Sequence, residues 1–243
     1  MLRPFVNRIR IALKYILDRD DSYLHADVPL SSETYHREQL IRHGNHAGRT
    51  VLEIGSREVT GKSNVQQLFA NAKYVGFDFY PGRNVDVVGD AHKLSRYFND
   101  QFDVIYSYVV FEHLAMPWVA AVEMAKCLKV GGLLCVVSHF SFSSHERPWN
   151  FFQFSDMALR VLFSPVLGIE CIEAGMSNPI VGRFSSNVQD PELANLRVSG
   201  LYAHSSFLGR KVREVPEDFD WGKIDLEDVV AGTKYPKCAM ATD

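Results

Sequence analysis

Three carboxylates in the first half of the chain each close a short apolar run: Glu53 in TVLEIG, Asp78 in KYVGFDF and Asp90 in VDVVGD. An acidic side chain at the end of a buried strand can accept from both hydroxyls of a ribose, and another nearby can accept from an exocyclic amine. The same residues also serve as helix caps or solvated loop charges, and one of them alone decides nothing. Together they favour an adenosine-containing ligand. Gly55 adds a position where backbone can approach a ligand closely and loop amides can meet a carboxylate or phosphate, though a tight strand-to-helix turn needs the same glycine. Further along lie His113, His139 and His145, a residue type suited to taking a proton from a hydroxyl near neutral pH. For His113 the plainer role is a structural bond to the next helix, and for His139 that of a satisfied strand-end residue. His145 lies in the loop where an acceptor would enter and is the favoured base.

The stretch EIGSREVTGKS at 53–63 offers two kinds of loop. Its tail resembles a phosphate-binding P-loop, which needs four residues between its first glycine and the Gly-Lys pair. Gly55 and Gly61 are separated by five, so the tail is expected to open a helix instead. A dinucleotide loop wants G-x-G-x-x-G, and here Arg57 brings a bulky side chain to the second glycine's place. A ligand without phosphates tolerates that residue, so S-adenosylmethionine is favoured over a nicotinamide dinucleotide, which stays open.

The elements that must position these groups are legible from periodicity. The runs at 50–55, 73–79, 85–90, 102–108 and 131–140 suit buried parallel strands, and helical patterns separate several of them. Such alternation indicates an α/β, Rossmann-like doubly wound sheet. In MPWVAAVEMAKCLKVGG, Gly131 and Gly132 are expected to end a helix and lead into the fifth strand. SSETYHREQLIRHG predicts a helix capped by Ser31 or Ser32 and closed near Gly44, and Phe154-Ser155-Asp156 predicts another cap. Residues 2–17 form an amphipathic pattern broken by arginines and lysine, expected to dock on the domain, with a basic face that permits weak attachment to anionic lipid.

With 243 residues and 23% charged residues the chain fits one soluble domain. A net charge of −3 gives no footprint for nucleic acid. Four dispersed cysteines without a Cys-x-x-Cys pair fit reduced thiols in a cytoplasm, and no metal is called for. No apolar run approaches a membrane span.

Residues 50–160 resemble the class I S-adenosylmethionine-dependent methyltransferases. VLEIGS resembles their first motif, YVGFDF the ribose-binding motif, VDVVGDAHKL the adenine-side motif, FDVIYSYVVFEHL the fourth-strand motif and LKVGGLLCVVS the fifth-strand entry. The resemblance implies seven strands, mostly parallel with an antiparallel last strand, IECIEA and LYAHSSF being the sixth and seventh. It implies that Glu53 orients the motif loop and, through water, the amino group of the methionine moiety, that Gly55, Ser56 and Arg57 border that moiety, and that Asp78 holds the ribose diol. Phe79 would lie against adenine, Asp90, Ala91 and His92 would serve its edge, and Ser107 and Tyr108 would border the methyl donor. The segment SSHERPWNFFQFSD resembles a substrate-side element of glycan-assembly methyltransferases, with Asn150 and Gln153 in place of charged residues. Trp149, Phe151, Phe152 and Phe154 there form an aromatic wall or a packing edge. The expected organisation is a helical cap at 1–46, a core at 47–210 and an acidic extension at 211–243. The expected activity is O-methylation of a sugar or other small metabolite, with a nicotinamide-dependent oxidoreductase or a non-catalytic binding protein as alternatives.

Overall fold

The apolar runs pair into the sheet that periodicity predicts. The computed structural model describes Ile9, Leu13 and residues 24–59, 61–98 and 101–229. Its main strands are β1 (Thr50–Ile54), β2 (Lys73–Asp78), β3 (Val87–Val88), β4 (Phe102–Tyr108), β5 (Leu128–His139), β6 (Ile169–Pro179) and β7 (Tyr202–Lys211). They form one seven-stranded sheet in the order β3-β2-β1-β4-β5-β7-β6. The first five strands run parallel, and β7 enters antiparallel between β5 and β6. The order turns around between β1 and β4, which leaves a crevice at their carboxyl ends.

Both faces of the sheet are covered, which is why its strands read as continuous apolar runs rather than alternating ones. On one face α1 (Glu33–Gly44) buries Leu40 with Val51, Phe69, Val104, Cys135 and Val137. On the other, Leu52, Ile54, Ile105, Leu134 and Val136 pack with Phe111, Met124 and Phe163. After the four-residue α2 (Val65–Leu68), α3 (Pro117–Cys127) and α4 (Asp156–Leu162) cover that second face. Ser32 caps α1 by accepting from the Tyr35 amide at 3.1 Å, and Ser155 caps α4 by accepting from Ala158 at 3.1 Å.

Two local expectations are corrected. The Gly-Lys-Ser tail does not open the helix: α2 begins at Val65, and the Ser63 amide donates to Glu58 Oε1 at 3.1 Å. Gly131 and Gly132 do not end α3, which stops at Cys127; they lie inside β5, where the register slips between the Phe102–Leu128 and Val104–Leu133 pairs. Gly131 has φ +88°, and a Cβ on Gly132 would sit 2.9 Å from the Lys129 carbonyl oxygen, so the irregularity demands both glycines. The amphipathic segment at 2–17 lies outside the described residues except for Ile9 and Leu13, both exposed.

At the amino ends of the strands Asp103 fastens β1, β4 and β5 together. It accepts from the Thr50 amide at 2.9 Å, from Lys129 Nζ at 2.9 Å and from Arg49. Despite its burial, these donors hold its carboxyl well below the usual range.

At the opposite end Gly55 leaves β1 with φ +79°, and an added Cβ would lie 2.1 Å from Val110 Cγ2. Gly55→Ala combines a left-handed backbone with this collision, so a loss of at least about 1–3 kcal/mol is expected. Urea unfolding measures it, and an unchanged midpoint would show that the turn needs no glycine.

Candidate functional site

The carboxyl ends of β1, β2 and β4 open on one cavity of ≈ 870 Å³. Of the residues singled out in the sequence, Glu53, Gly55, Ser56, Arg57, Asp78, Phe79, Asp90, Ala91, His92 and Tyr108 border it, together with His113, His139 and His145. Ser107 does not; it is fully buried beneath the crevice, where its hydroxyl has no hydrogen-bond partner.

The turn after β1 is held by the sheet. The Gly55 and Ser56 amides both donate to the Phe77 carbonyl, at 2.8 and 3.2 Å. This corrects the expectation that these loop amides meet an anionic group, because β2 already takes them. The Asn84 side chain supports the same turn, donating to the Ser56 carbonyl and the Tyr74 hydroxyl at 2.9 Å each. Tyr74 in turn donates to Glu53 Oε2. Burial raises the Glu53 carboxyl to about 7, against the opposing pull of the Tyr74 and Asn84 hydrogen bonds.

Asp78 accepts twice on Oδ1, from Arg57 Nε at 3.1 Å and from the Tyr80 amide at 2.9 Å. Its Oδ2 is left for a ligand. The Arg57 guanidinium also lies over the Tyr80 ring, 5.5 Å from its centroid, so its bulk rests beside the turn. Asp90 caps the 3-10 helix Ala91–Arg96, accepting from the His92 amide at 3.0 Å and from His92 Nδ1 at 2.7 Å. Because His92 Nε2 accepts from the Met116 amide at 3.2 Å, the ring proton sits on Nδ1. Burial works against ionisation of Asp90, yet these His92 bonds hold its carboxyl below the usual value.

At another part of the cavity the histidines converge. The His113 and His145 rings lie 4.9 Å apart, His139 and His145 5.4 Å apart, and His139 and His204 5.2 Å apart. His113 Nδ1 meets the Trp149 carbonyl at 2.7 Å, and His145 Nδ1 meets the Ser143 carbonyl at 2.8 Å. The structural bond of His113 thus runs to the loop after β5 rather than to the next helix. His139 is buried, stacks on Phe142 at 4.1 Å, and has an unpartnered Nδ1. Burial, with the neighbouring His204, His145 and His113, lowers it to about 4, so it is neutral near pH 7. Of the four aromatic residues in the adjoining segment only Trp149 lines the cavity, while Phe154 is buried edge-on against Phe111.

Residues 51–136 match a family described as methyltransferase domains. The chain has the fold of the class I methyltransferases. Among solved structures, a SAM-dependent methyltransferase from Archaeoglobus fulgidus superposes with a TM-score of 0.52 at 15% identity, covering 74% of this chain and 95% of that one. A methyltransferase from Bacillus halodurans C-125 gives a TM-score of 0.50 at 17% identity, over 73% and 99% of the two chains. The methyltransferase complexed with the Trm112 activator of Haloferax volcanii gives 0.50 at 17% identity, over 74% and 90%. No curated protein matches the sequence. At such identities the structures share the fold, and S-adenosylmethionine is the cofactor of this family.

Three residues that line the cavity or support its edge escaped the sequence reading. Arg37 reaches it from α1, outside every motif. Tyr74 and Asn84 hold Glu53 and the turn, from positions that only the pairing of β1 with β2 brings close. A fourth, Glu112, is fully buried beside His139. It was visible as the neighbour of His113 in Phe-Glu-His-Leu, but its burial and partners were not.

Glu53 makes the protein sensitive to pH in a direction opposite to an ordinary paired carboxylate. Between pH 4.5 and about 7 the unfolded carboxyl ionises while the folded one keeps its proton, so stability falls as pH rises through that window. Glu53→Gln keeps an acceptor for Tyr74 and removes the titration. Urea unfolding should show the variant gaining roughly 3 kcal/mol on the native chain across the window. Parallel pH curves for the two proteins would show that Glu53 ionises normally.

Proposed function

We propose that this protein methylates a hydroxyl oxygen of a small acceptor, a sugar or glycan precursor being the favoured class, with S-adenosylmethionine as donor. The observation that carries the proposal is one cavity bordered at one end by Asp78 and Asp90 and at the other by three histidines. The residues fit the donor. Ser56 carries a buried hydroxyl without a partner, and Asp78 Oδ2 is open for a ribose hydroxyl. Gly55 lacks the side chain that would fill the turn. When bound, the donor supplies a methyl group on a sulfonium, whose bond electrons return to sulfur as the methyl leaves.

In this proposal Glu53 faces the ammonium of the methionine moiety, with Gly55, Ser56 and Arg57 around it. Asp78 holds the ribose, Phe79 covers the adenine, and Asp90, Ala91 and His92 border its edge, while Tyr108 flanks the methyl group. The acceptor enters past Trp149, whose exposed ring offers a flat apolar face to a sugar. Its hydroxyl proton passes to an imidazole. His145 Nε2 is the favoured acceptor, since Nδ1 is engaged with a carbonyl and the ring lines the cavity. His113 has the same arrangement, and neutral His139 keeps the pocket free of a further positive charge. The net charge of −3 disfavours a nucleic-acid acceptor. Three free cysteines among the described residues accord with a reducing cytoplasm.

Calorimetry tests the donor: S-adenosylhomocysteine should bind and nicotinamide cofactors should not. Asp78→Ala should lose about 1.5–3 kcal/mol of that binding while staying folded. Unchanged affinity would remove Asp78 from the ribose. With a hydroxyl acceptor in hand, His145→Ala should lower turnover roughly 10²–10⁴-fold while S-adenosylhomocysteine still binds. Near-normal turnover in that variant would leave positioning alone, or another group, in charge of the proton.

A further inference from the structure

We propose that Glu112, His113 and His145 form a binding site for a divalent transition-metal ion on the acceptor side of the cavity. The spacing of the cysteines had given no reason to expect a metal, and these ligands come from two loops more than 30 residues apart in sequence. Each residue offers one ligand atom, and the three atoms lie within 4.8 Å of one another.

The tautomers are already those of metal ligands. His113 Nδ1 and His145 Nδ1 each lie within hydrogen-bond distance of a backbone carbonyl, at 2.7 and 2.8 Å. A carbonyl can only accept, so both protons sit on Nδ1 and both Nε2 atoms present lone pairs. A second-shell carbonyl behind the distal nitrogen is the usual support of a metal-bound imidazole. Glu112 is an independent sign. It is fully buried, its Oε2 accepts from the Ser138 hydroxyl at 2.8 Å, and its Oε1 has no hydrogen bond. His139 Nε2 approaches Oε1 only to 3.4 Å. A buried carboxylate left with an open oxygen is costly, and a cation offsets that cost. Glu146 adds a second negative charge, its Oε2 lying 3.8 Å from His113 Nε2.

Two imidazoles and one carboxylate suit zinc, iron(II) or cobalt(II) and leave positions open for a further ligand. Magnesium and calcium prefer oxygen ligands throughout. Ligand atoms about 2.1 Å from one ion stand roughly 3.4 Å apart in a tetrahedron, so binding draws the His145 loop inward. That loop is exposed coil between β5 and α4 and can make the movement.

The binding site stands without the proposed reaction; its catalytic use rests on it. There, an acceptor hydroxyl takes the open position and becomes more acidic. Its proton passes to solvent, the oxygen keeps the electron pair, and that pair forms the new bond to carbon. In this metal-loaded form His113 and His145 are ligands instead of proton acceptors.

The test titrates the metal-stripped full chain with Co²⁺ alone, followed by visible absorption, with Zn²⁺ added as competitor. One equivalent should give the intense bands of a four- or five-coordinate imidazole site, displaced by Zn²⁺. His145→Ala and His113→Ala should each weaken binding by at least the roughly 10–100-fold that loss of an outer partner costs. Glu112→Gln should do the same, and if that buried change unfolds the chain, the loop variant His145→Ala still decides. A spectrum unchanged from aqueous Co²⁺, or equal affinity in His145→Ala, overturns the site. S-adenosylhomocysteine binding on the same samples reports separately on the methyltransferase proposal. Metal binding without it sustains the site and defeats that proposal. If a chelator leaves turnover intact while His145→Ala abolishes it, His145 is a proton acceptor and the metal's catalytic use falls.

Discussion

The parallel pairing of β1 with β2 on one side and β4 on the other is the constraint from which the site follows. Because strands leave β1 in both directions, the chain cannot close over its carboxyl edge, and a crevice remains there. Register sets the contents of that crevice. Glu53 stands beside Gly76 and Tyr106, and Ile54 beside Ser107. Gly55 then turns away from Val110 at a separation that no side chain allows. Asp103, at the far end of the same strands, anchors the register by joining Arg49, Thr50 and Lys129.

Burial at this edge sets the ionisation of the groups facing the cavity. Glu53 is driven up and His139 down by the same cause, loss of water around the charged form. Their linked effects on stability oppose each other across the mildly acidic range, the carboxyl favouring low pH and the imidazole high pH. Near neutrality one end of the cavity holds a neutral His139 stacked on Phe142. At the other end Asp78 pairs with Arg57.

Arg57 connects the loop's unusual sequence to its geometry. Where a dinucleotide loop has a glycine, this side chain folds over Asp78 and rests against Tyr80, satisfying one carboxylate oxygen and leaving the other. The same residue that excludes a close pyrophosphate therefore helps orient the carboxylate. Across the cavity, the loop after β5 returns to the turn after β4: the Phe151 amide donates to the Glu112 carbonyl at 2.8 Å, and Trp149 receives His113. That return is what brings His145 to His113.

The sequence by itself determined the class of fold and the strand-end residues that border one cavity. Apolar runs that end in Glu53, Asp78 and Asp90 encode strand, strand end and polar group together, so local periodicity suffices to place them. It also placed one cap at Ser155 and narrowed the other to Ser31 or Ser32, of which Ser32 serves, because a cap is a contact within one turn of helix. Short-range reasoning misplaced the glycine pair at 131–132, which answers to an irregular pairing of β5 with β4 rather than to the helix before it. It left the loop amides after β1 free to meet an anionic group, whereas the Phe77 carbonyl takes those of Gly55 and Ser56 across the sheet. The tertiary structure alone decided which nitrogen of each histidine is free, which oxygen of Glu112 is unpartnered, and which aromatic residue faces the cavity. Those properties depend on carbonyls and side chains distant in sequence, and hydrogen-bond geometry between remote segments leaves no periodic trace in the chain.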